Sequence, residues 1–187
     1  MVSRQQILDQ ALVLARQSGW EKLTLHHIAA ALGIPLADIY QYFPQKDDLV
    51  EAWFDRADQA LLCRVPNREW AVLPPKERIE QVILCWLDAM AEYRELTGQM
   101  LLYKLEPGHI HLQMAGVLRI SRTVQWFREA AGLKASQLHR IVQEAALSSL
   151  YLATFICWLR DNSPGRQTTR NFLRRKLDAG DRIGLWH

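Results

Sequence analysis

The side chains best suited to chemistry lie between residues 36 and 46, in a short run of aromatic and polar residues. The Tyr40 hydroxyl can approach a DNA phosphate, and Lys46 adds charge at the start of the next helix, where backbone N–H groups also point at anions. The amide of Gln41 can bond adenine through two hydrogen bonds. The sequence therefore predicts phosphate contacts from Tyr40 and Lys46. It predicts base contacts from Leu36, Ala37 and Gln41.

Two short helices must hold these residues, and the sequence predicts both. Residues at helical spacing give the first helix one apolar face: Leu25, Ile28, Ala29 and Leu32. Gly33 ends that helix, because glycine adopts the left-handed conformation readily, and Pro35 fixes φ near the start of the second helix. Two short helices joined by a tight glycine turn are typical of a helix-turn-helix, whose second helix normally enters the major groove of DNA.

A wider set of positions carries a resemblance to a known family. Its most specific part is the run Tyr-x-x-Phe-x-x-Lys, and the matching residues are Ile7, Ala11, Gly19, Thr24, Ile28, Ala29, Gly33, Ile34, Tyr40, Phe43, Lys46 and Leu49. On these positions, residues 4 to about 62 resemble the DNA-binding domain of the TetR family of bacterial regulators. The resemblance implies that Thr24, Tyr40 and Lys46 touch DNA phosphates and that residues of the third helix reach bases.

The local charge departs from what DNA binding normally requires. The family usually has a serine and then Gly-Thr before its recognition helix, whereas this chain has Pro35, Ala37 and Asp38. Residues 1–62 contain five basic and eight acidic residues, a net charge of −3, while the whole chain carries +3, so residues 63–187 carry +6. Phosphate contacts supply most non-specific affinity and normally need concentrated positive charge. This balance favours weak or lost DNA binding.

No pattern in the sequence indicates catalysis or a bound metal. The histidine pairs His26–His27 and His109–His111 lack the further ligands that zinc needs. The cysteines at positions 63, 85 and 157 are widely spaced, and we expect them to be reduced core thiols. The N-terminus lacks a signal-peptide core, and no apolar run approaches the roughly 20 residues that span a bilayer. We therefore expect a cytoplasmic protein without enzymatic activity, metal or cofactor.

Helical periodicity extends along the chain without strand alternation, which predicts an all-α fold. Further helices are expected over residues 3–18, 46–63, 76–92, 96–105, 110–131, 134–161 and 168–179. The proline-containing segment 64–75 is the clearest break, and residues 106–109 read as a turn. We expect a helix-turn-helix domain of three helices at residues 1–63, followed by a helical-bundle domain for ligand binding and dimerisation at residues 74–187.

Two surfaces of the second domain are candidate sites. Apolar cavities between bundle helices are where ligands bind, although the same side chains are more often ordinary core. The candidate pocket residues are Trp86, Met90, Tyr93, Tyr103, Trp126 and Phe127. The helix over residues 134–161 has a wide apolar stripe at Leu138, Ile141, Val142, Ala145, Leu150, Tyr151, Ala153, Thr154 and Trp158. It predicts a two-fold dimer, with the last two helices of each chain forming a four-helix interface through Ala145, Ser149, Ala153 and Phe172.

A second resemblance lies in the C-terminal region. Its elements are a Tyr-x-x-Thr pair at 151–154, an Asp-x-Ser-Pro loop at 161–164 and a Thr-x-x-Phe-Leu helix entry at 169–173. On these elements the region is similar to ubiquinone-biosynthesis accessory proteins, a resemblance that implies isoprenoid-lipid binding and membrane association. Residues 166–187 contain six basic and two acidic residues, with an apolar tail at Ile183, Leu185 and Trp186. Such a segment suits an anionic membrane surface; the alternative is a dimer helix with a solvated basic face and a frayed tail.

The preferred interpretation is a ligand-responsive repressor that binds double-stranded DNA. As a homodimer it would place two recognition helices about one DNA turn apart on a palindromic operator. A small apolar ligand that favours another spacing would release the DNA by population shift. The alternative is a non-enzymatic protein that binds isoprenoid or quinone-type lipid, with peripheral membrane contact through its C-terminal basic helix and a degenerate DNA-binding domain.

Overall fold

The computed structural model describes residues 2–64, 70, 72–104 and 110–187, with side chains at 114 and from 116 onward in the last range. The described helices are α1 (Arg4–Ser18), α2 (Leu25–Leu32), α3 (Leu36–Tyr42), α4 (Lys46–Arg64), α5 (Pro75–Ala89), α6 (Arg94–Lys104), α7 (Ile110–Ala131), α8 (Gln137–Arg160) and α9 (Gln167–Arg182). Short 3₁₀ turns occupy Ala91–Tyr93 and Pro164–Arg166. The described residues contain no strand, which confirms the all-α prediction.

Most helix boundaries follow local signals in the sequence. Ser3 caps α1 through a capping box with Gln6, in which each side chain accepts a hydrogen bond from the other residue's backbone N–H. Helix α8 begins at Gln137 instead of residue 134, because the extended backbone of Ser136 forms its N-cap. The turn predicted at 106–109, with His109, lies outside the described residues, as does half of the break predicted at 64–75.

The chain divides into two compact units that do not follow chain order. The first unit is Met1–Arg56 with Met90–Gly116, and the second is Ala57–Ala89 with Val117–His187. Helix α6 joins the first unit through hydrogen bonds to the N-terminal segment. Thr97 accepts a hydrogen bond from the Trp53 indole of α4 at 2.9 Å, and Gln99 accepts one from the Trp20 backbone, between α1 and α2, at 2.8 Å. This division therefore differs from the expected domains at 1–63 and 74–187, which were drawn from a break in the sequence.

Aromatic packing forms the centre of the second unit. The ring of Trp86 makes edge-on contacts with Tyr151 at 5.2 Å, Phe155 at 5.6 Å and Phe127 at 6.1 Å between centroids. Burial raises the pKa of the Tyr151 phenol well above its usual range. These contacts join α5, α7 and α8 into one core.

The C-terminal tail is anchored, which corrects the expectation of a frayed tail. Trp186 is buried, and its indole N–H donates to the Leu177 carbonyl at 3.0 Å. A side chain at Gly180 would lie 2.7 Å from the Trp186 ring, so glycine makes room for the tryptophan. The Leu185 carbonyl accepts a hydrogen bond from Gln143 at 3.0 Å, while Ile183 stays exposed.

Candidate functional site

The turn between α2 and α3 has the geometry of a helix-turn-helix. Gly33 adopts the left-handed conformation at φ 64°, and its backbone N–H donates to the last turn of α2. Pro35 then forms the N-cap of α3 with an extended backbone. The buried side chains of Ile39 and Phe43 fix α3 to the rest of the first unit. One side of α3 is therefore held against the core, and the opposite side is available to a partner.

The residues predicted to read DNA share that outer side of α3. Tyr40 is 66% exposed and Leu36 49% exposed, and Ala37 and Gln41 are exposed as well. Positions 36, 37, 40 and 41 follow helical spacing, so the structure brings these four side chains onto one face. Asp38, the carboxylate in this helix, is half-buried.

Thr24 and Lys46 both have structural contacts near this helix pair. The hydroxyl oxygen of Thr24 caps α2 by accepting a hydrogen bond from the His27 backbone at 3.2 Å, which leaves the hydroxyl hydrogen as a donor. The Lys46 ammonium donates to the carbonyls of Trp20 at 2.6 Å and Glu21 at 3.1 Å. It also lies over the rings of Trp20 and Tyr103 at 5.1 and 5.2 Å. Lys46 therefore ties the segment before α2 to the start of α4, a role that the sequence did not indicate.

Two acidic residues of α4 are neutralised inside the first unit. Buried Lys104 donates to Asp47 at 2.9 Å and to Glu51 at 2.7 Å. Asp48 is used locally, because its carboxylate accepts the Gln45 backbone N–H at 2.9 Å. The excess of acidic residues counted in the sequence is therefore partly structural, because Asp47, Asp48 and Glu51 each have a defined protein donor.

The six predicted pocket residues are divided between the two units. Trp86 and Phe127 pack ring against ring in the core of the second unit, whereas Trp126 is 42% exposed. Met90, Tyr93 and Tyr103 belong to the first unit. There Tyr93 packs edge-on against Trp53, and Tyr103 against Trp20. Most of these aromatic side chains therefore pack against other rings, as core residues do, and their residue types alone did not distinguish a core from a ligand cavity.

A buried ion pair in the second unit was not predicted. Arg119 donates to Asp58 at 2.6 Å, and the Trp86 indole donates to the same carboxylate at 2.7 Å. Asp58 and Arg119 are only 5% and 6% exposed. These residues are separated by 61 positions, so no local spacing could have revealed the pair. The pair joins α4 to α7 inside this core.

The predicted dimer residues lie on an exposed face of the second unit. Ala145, Ser149 and Ala153 are exposed on α8, and Phe172 of α9 is half-buried. The wider stripe needs correction, because four of its members are buried within their own chain: Leu150, Tyr151, Thr154 and Trp158. The other members are exposed, with Leu138 at 78%, Ile141 at 63% and Val142 at 57%.

The Asp-x-Ser-Pro loop has a structural explanation. The Asp161 carboxylate accepts the backbone N–H and hydroxyl of both Ser163 and Thr169, at 2.6 to 2.9 Å. Burial acts to raise the pKa of Asp161, but these four hydrogen bonds outweigh it and hold the pKa well below its usual range. Asp161 therefore connects the end of α8 to the first turn of α9.

Neither a metal site nor a catalytic thiol emerges from the described part of the chain. His26 and His27 are exposed, and no group of three or more potential metal-binding residues lies together among the described residues. Burial raises the pKa of the Cys85 thiol, which disfavours its reactive thiolate. Cys63 is exposed, so the expectation that all three cysteines are core thiols is wrong.

One helix passes the length and composition test for a membrane span. It is α8, Gln137–Arg160, and 39% of its most apolar window is buried inside the structure. Core helices of soluble proteins pass the same test, so this finding is weak evidence for a membrane span. This result differs from the expectation that no segment is apolar enough to span a bilayer. Helix α8 passes the test because it has apolar residues both on its core-facing side and along its exposed stripe.

Comparison with known proteins identifies the family. A TetR transcriptional regulator from Nitrosomonas europaea, known as a crystal structure, is 43% identical and superposes with a TM-score of 0.84. The match covers 95% of this chain and 97% of that one. This protein belongs to the TetR family of transcriptional regulators. The model of the bacterial tetR regulatory proteins matches residues 7–53 of this TetR-family regulator, where the sequence resemblance was found.

More distant relatives match in different ways. The nucleoid occlusion factor SlmA of Haemophilus influenzae is 28% identical over 106 residues, which are 54% of this chain and 49% of that protein. The COQ9 family model matches residues 123–184. The mitochondrial ubiquinone biosynthesis protein COQ9 of Drosophila melanogaster is 22% identical over 187 residues, covering 97% of this chain and 56% of that protein. The TetR-family chain thus spans about half the length of each of these two relatives.

Proposed function

We propose that this protein is a ligand-responsive repressor that binds a palindromic operator as a homodimer. The observation that carries the proposal is the exposed face of α3, where Leu36, Ala37, Tyr40 and Gln41 lie together. Large exposed side chains such as Tyr40 and Leu36 on a helix whose other face is fixed in a core fit a surface that meets a partner. In a helix-turn-helix, that partner is the major groove.

The proposed contacts divide into positioning and reading. Thr24 and Tyr40 would donate their hydroxyl hydrogens to phosphates, and Lys46 would add positive charge beside them. Gln41 would read an adenine edge, while Leu36 and Ala37 would make apolar contacts such as those with a thymine methyl group. Because basic residues are few here, we expect modest non-specific affinity and a shallow dependence on salt.

Dimerisation follows from family membership, and the exposed face of α8 is the surface we propose for it. Apolar side chains there lie in water in the isolated chain, with Leu138, Ile141 and Val142 each more than half exposed. A second copy would cover them, and binding to a palindromic operator needs both copies. A charged substitution on this face is therefore expected to abolish operator binding as well as dimerisation.

The ligand would be a small apolar molecule or a lipid. Met90, Tyr93 and Tyr103 lie in the first unit, and Trp86 and Phe127 lie in the second. All five remain proposed ligand contacts. Helix α4 begins in the first unit and carries Asp58 in the second. A ligand that alters the packing around α4 would shift the population of DNA-binding conformations. We also propose that the protein is cytoplasmic and has no enzymatic activity.

A gel shift tests the DNA-binding proposal. Purified protein is titrated against 30-base-pair duplexes from the DNA upstream of its own gene and against a shuffled duplex of equal composition, at low salt. We expect at least one upstream duplex to bind more tightly than its shuffled control, and Gln41→Ala to reduce that preference. Equal binding of every upstream and shuffled duplex would reject the repressor.

The second candidate is lipid binding, which the COQ9 family match over residues 123–184 favours. Several exposed basic residues near and along α9 suit anionic headgroups: Arg160, Arg174, Arg175, Lys176 and Arg182. The buried Trp186 leaves Ile183 as the exposed large apolar residue of the tail. Sedimentation with anionic but not neutral vesicles, weakened by high salt, would support this function. Equal recovery with both vesicles and no co-purified isoprenoid in native mass spectrometry would reject it.

A further inference from the structure

Asp38 is the charged residue of α3, and its carboxylate has an unused capacity to accept hydrogen bonds. The side chain is half-buried on the first turn of the helix. Among the residues that the structure describes, none donates a hydrogen bond to this carboxylate or forms an ion pair with it. Other carboxylates of the first unit differ, because Asp9, Asp47 and Glu51 each pair with a basic side chain. The oxygens of Asp38 are therefore available to a partner outside the chain.

The usual structural role of an acidic or amide side chain at this helix position is closed to Asp38. In a capping box, the side chain at the third helical position accepts a hydrogen bond from the backbone N–H of the N-cap residue, as Gln6 does from Ser3 in α1. The N-cap of α3 is Pro35, which has no backbone N–H. Attraction to the positive end of the helix dipole remains, but it requires no hydrogen bond.

Asp38 borders the exposed face of α3. It follows Ala37 and precedes Gln41 by three positions, so it neighbours that face at helical spacing. The early residues of a recognition helix are those that contact base edges. A carboxylate near the duplex is repelled by the phosphates, and an ionised carboxylate can only accept hydrogen bonds. Its presence is therefore favourable only where a base donates a hydrogen bond to it.

The hydrogen-bonding groups of the major groove select cytosine as that base. Guanine presents two acceptors and thymine an acceptor and a methyl group, so neither can donate to a carboxylate. Adenine N6 can donate, but the acceptor N7 lies beside it. Cytosine presents the N4 amino group without a neighbouring acceptor on the same base. Asp38 should therefore prefer cytosine, tolerate adenine less well and reject thymine and guanine.

We propose that Asp38 is a specificity-determining residue that accepts a hydrogen bond from cytosine N4 in each half of the operator. The inference rests on the proposed DNA binding and adds a fourth base-reading residue to Leu36, Ala37 and Gln41. It acts by rejection as well as by attraction, because its charge is repelled by DNA wherever the cytosine is missing. The same carboxylate that lowers non-specific affinity thereby raises the preference for the operator over other sequences.

Selection from a library of random duplexes tests the role of Asp38. The native protein, Asp38→Asn and Glu21→Gln each select bound duplexes, which are then sequenced. The amide of Asp38→Asn can bond adenine N6 and N7 together, so one position of each half-site should change from cytosine to adenine. Glu21→Gln removes the same charge from an exposed position outside α3 and should select the native sequence. An effect on the helix dipole alone would change stability in urea but not the selected base.

Titrations of the native protein provide a test that does not depend on the folding of a variant. Each C·G pair of the selected half-site is replaced in turn, and fluorescence anisotropy measures the affinity. At one cytosine, thymine or guanine should weaken binding at least about fivefold, the low end of the cost of one mismatched base pair, and adenine should weaken it less.

The outcomes separate this inference from the function on which it rests. A native sequence motif that Asp38→Asn selects unchanged, or one in which no cytosine shows the expected order of bases, overturns the role of Asp38 and leaves the repressor intact. Failure of the native protein to enrich any sequence overturns both.

Discussion

Replacing Asp58 with asparagine should destabilise this protein more than any comparable surface change. The carboxylate binds Arg119 at 2.6 Å and accepts the Trp86 indole N–H at 2.7 Å, with both charged side chains almost fully buried. Asp58→Asn keeps the shape but removes the negative charge that faces the buried Arg119 guanidinium. Breaking a buried pair in this way costs about 3–5 kcal/mol, a large part of a typical stability of about 5–15 kcal/mol.

The chain provides a matched control for this substitution. Asp9 pairs with Arg56 at 2.7 Å, but its side chain is 59% exposed, so Asp9→Asn should cost no more than about 1 kcal/mol. Urea denaturation at one fixed protein concentration measures both variants, because stability and dimerisation are linked. The double variant Asp58→Asn/Arg119→Met also removes the buried positive charge and should recover most of the loss. If Asp58→Asn costs no more than Asp9→Asn, or the double variant recovers nothing, the ion pair is not a determinant of this core.

Three further predictions follow from the site and the surfaces. Lys46→Met should weaken binding to all DNA sequences and reduce the slope of log affinity against log salt concentration by up to about 0.9 per chain. Tyr40→Phe should weaken binding without changing that slope. Fluorescence anisotropy across a salt series measures both, and a slope for Lys46→Met identical to that of the native protein would exclude a phosphate contact from Lys46. Ala153→Asp should convert the dimer to monomer in light scattering, while Lys134→Asp, a charge change beyond the stripe, should not; a dimeric Ala153→Asp would exclude the α8 face. Asp161→Asn should lower the free energy of unfolding by about 1 kcal/mol at pH 7, and this deficit should become smaller below about pH 4. The deficit should narrow in acid because the pKa of Asp161 is lower in the folded state than in the unfolded state. Its stabilisation is fully present above the unfolded-state pKa and is lost as pH falls through the folded-state pKa. Urea titrations at pH 7, 5 and 3 that give the same deficit would contradict this prediction.

Local chemistry made the helix-turn-helix predictable from sequence. The cap at Ser3, the left-handed Gly33 and the limits of α3 each depend on residues within a few positions of one another. The exposed face of α3 could be predicted from helical periodicity, because Ile39 and Phe43 are buried on the opposite face. Because these signals depend on short-range contacts, the sequence alone was enough to predict these elements.

Contacts between distant segments were not predictable in the same way. Lys104 neutralises Asp47 across 57 positions, and Trp186 is buried because Gly180 leaves space for its ring. Neither partner is marked by spacing or composition. The aromatic residues predicted to line a ligand pocket were equally ambiguous. Trp86 and Phe127 are residue types that occur both in pocket linings and in filled cores, so their identity alone could not distinguish the two.

Sequence-specific DNA binding is the central claim, and a competition titration by fluorescence anisotropy tests it most directly. The labelled upstream duplex that binds best is displaced by itself and by its shuffled counterpart, for the native protein and for Gln41→Ala, at two salt concentrations. We predict that the native protein prefers its own duplex by at least about 10³-fold, the lower end of typical specific binding. Gln41→Ala should reduce this ratio without changing the affinity for the shuffled duplex. A ratio of one for the native protein at both salt concentrations would contradict it.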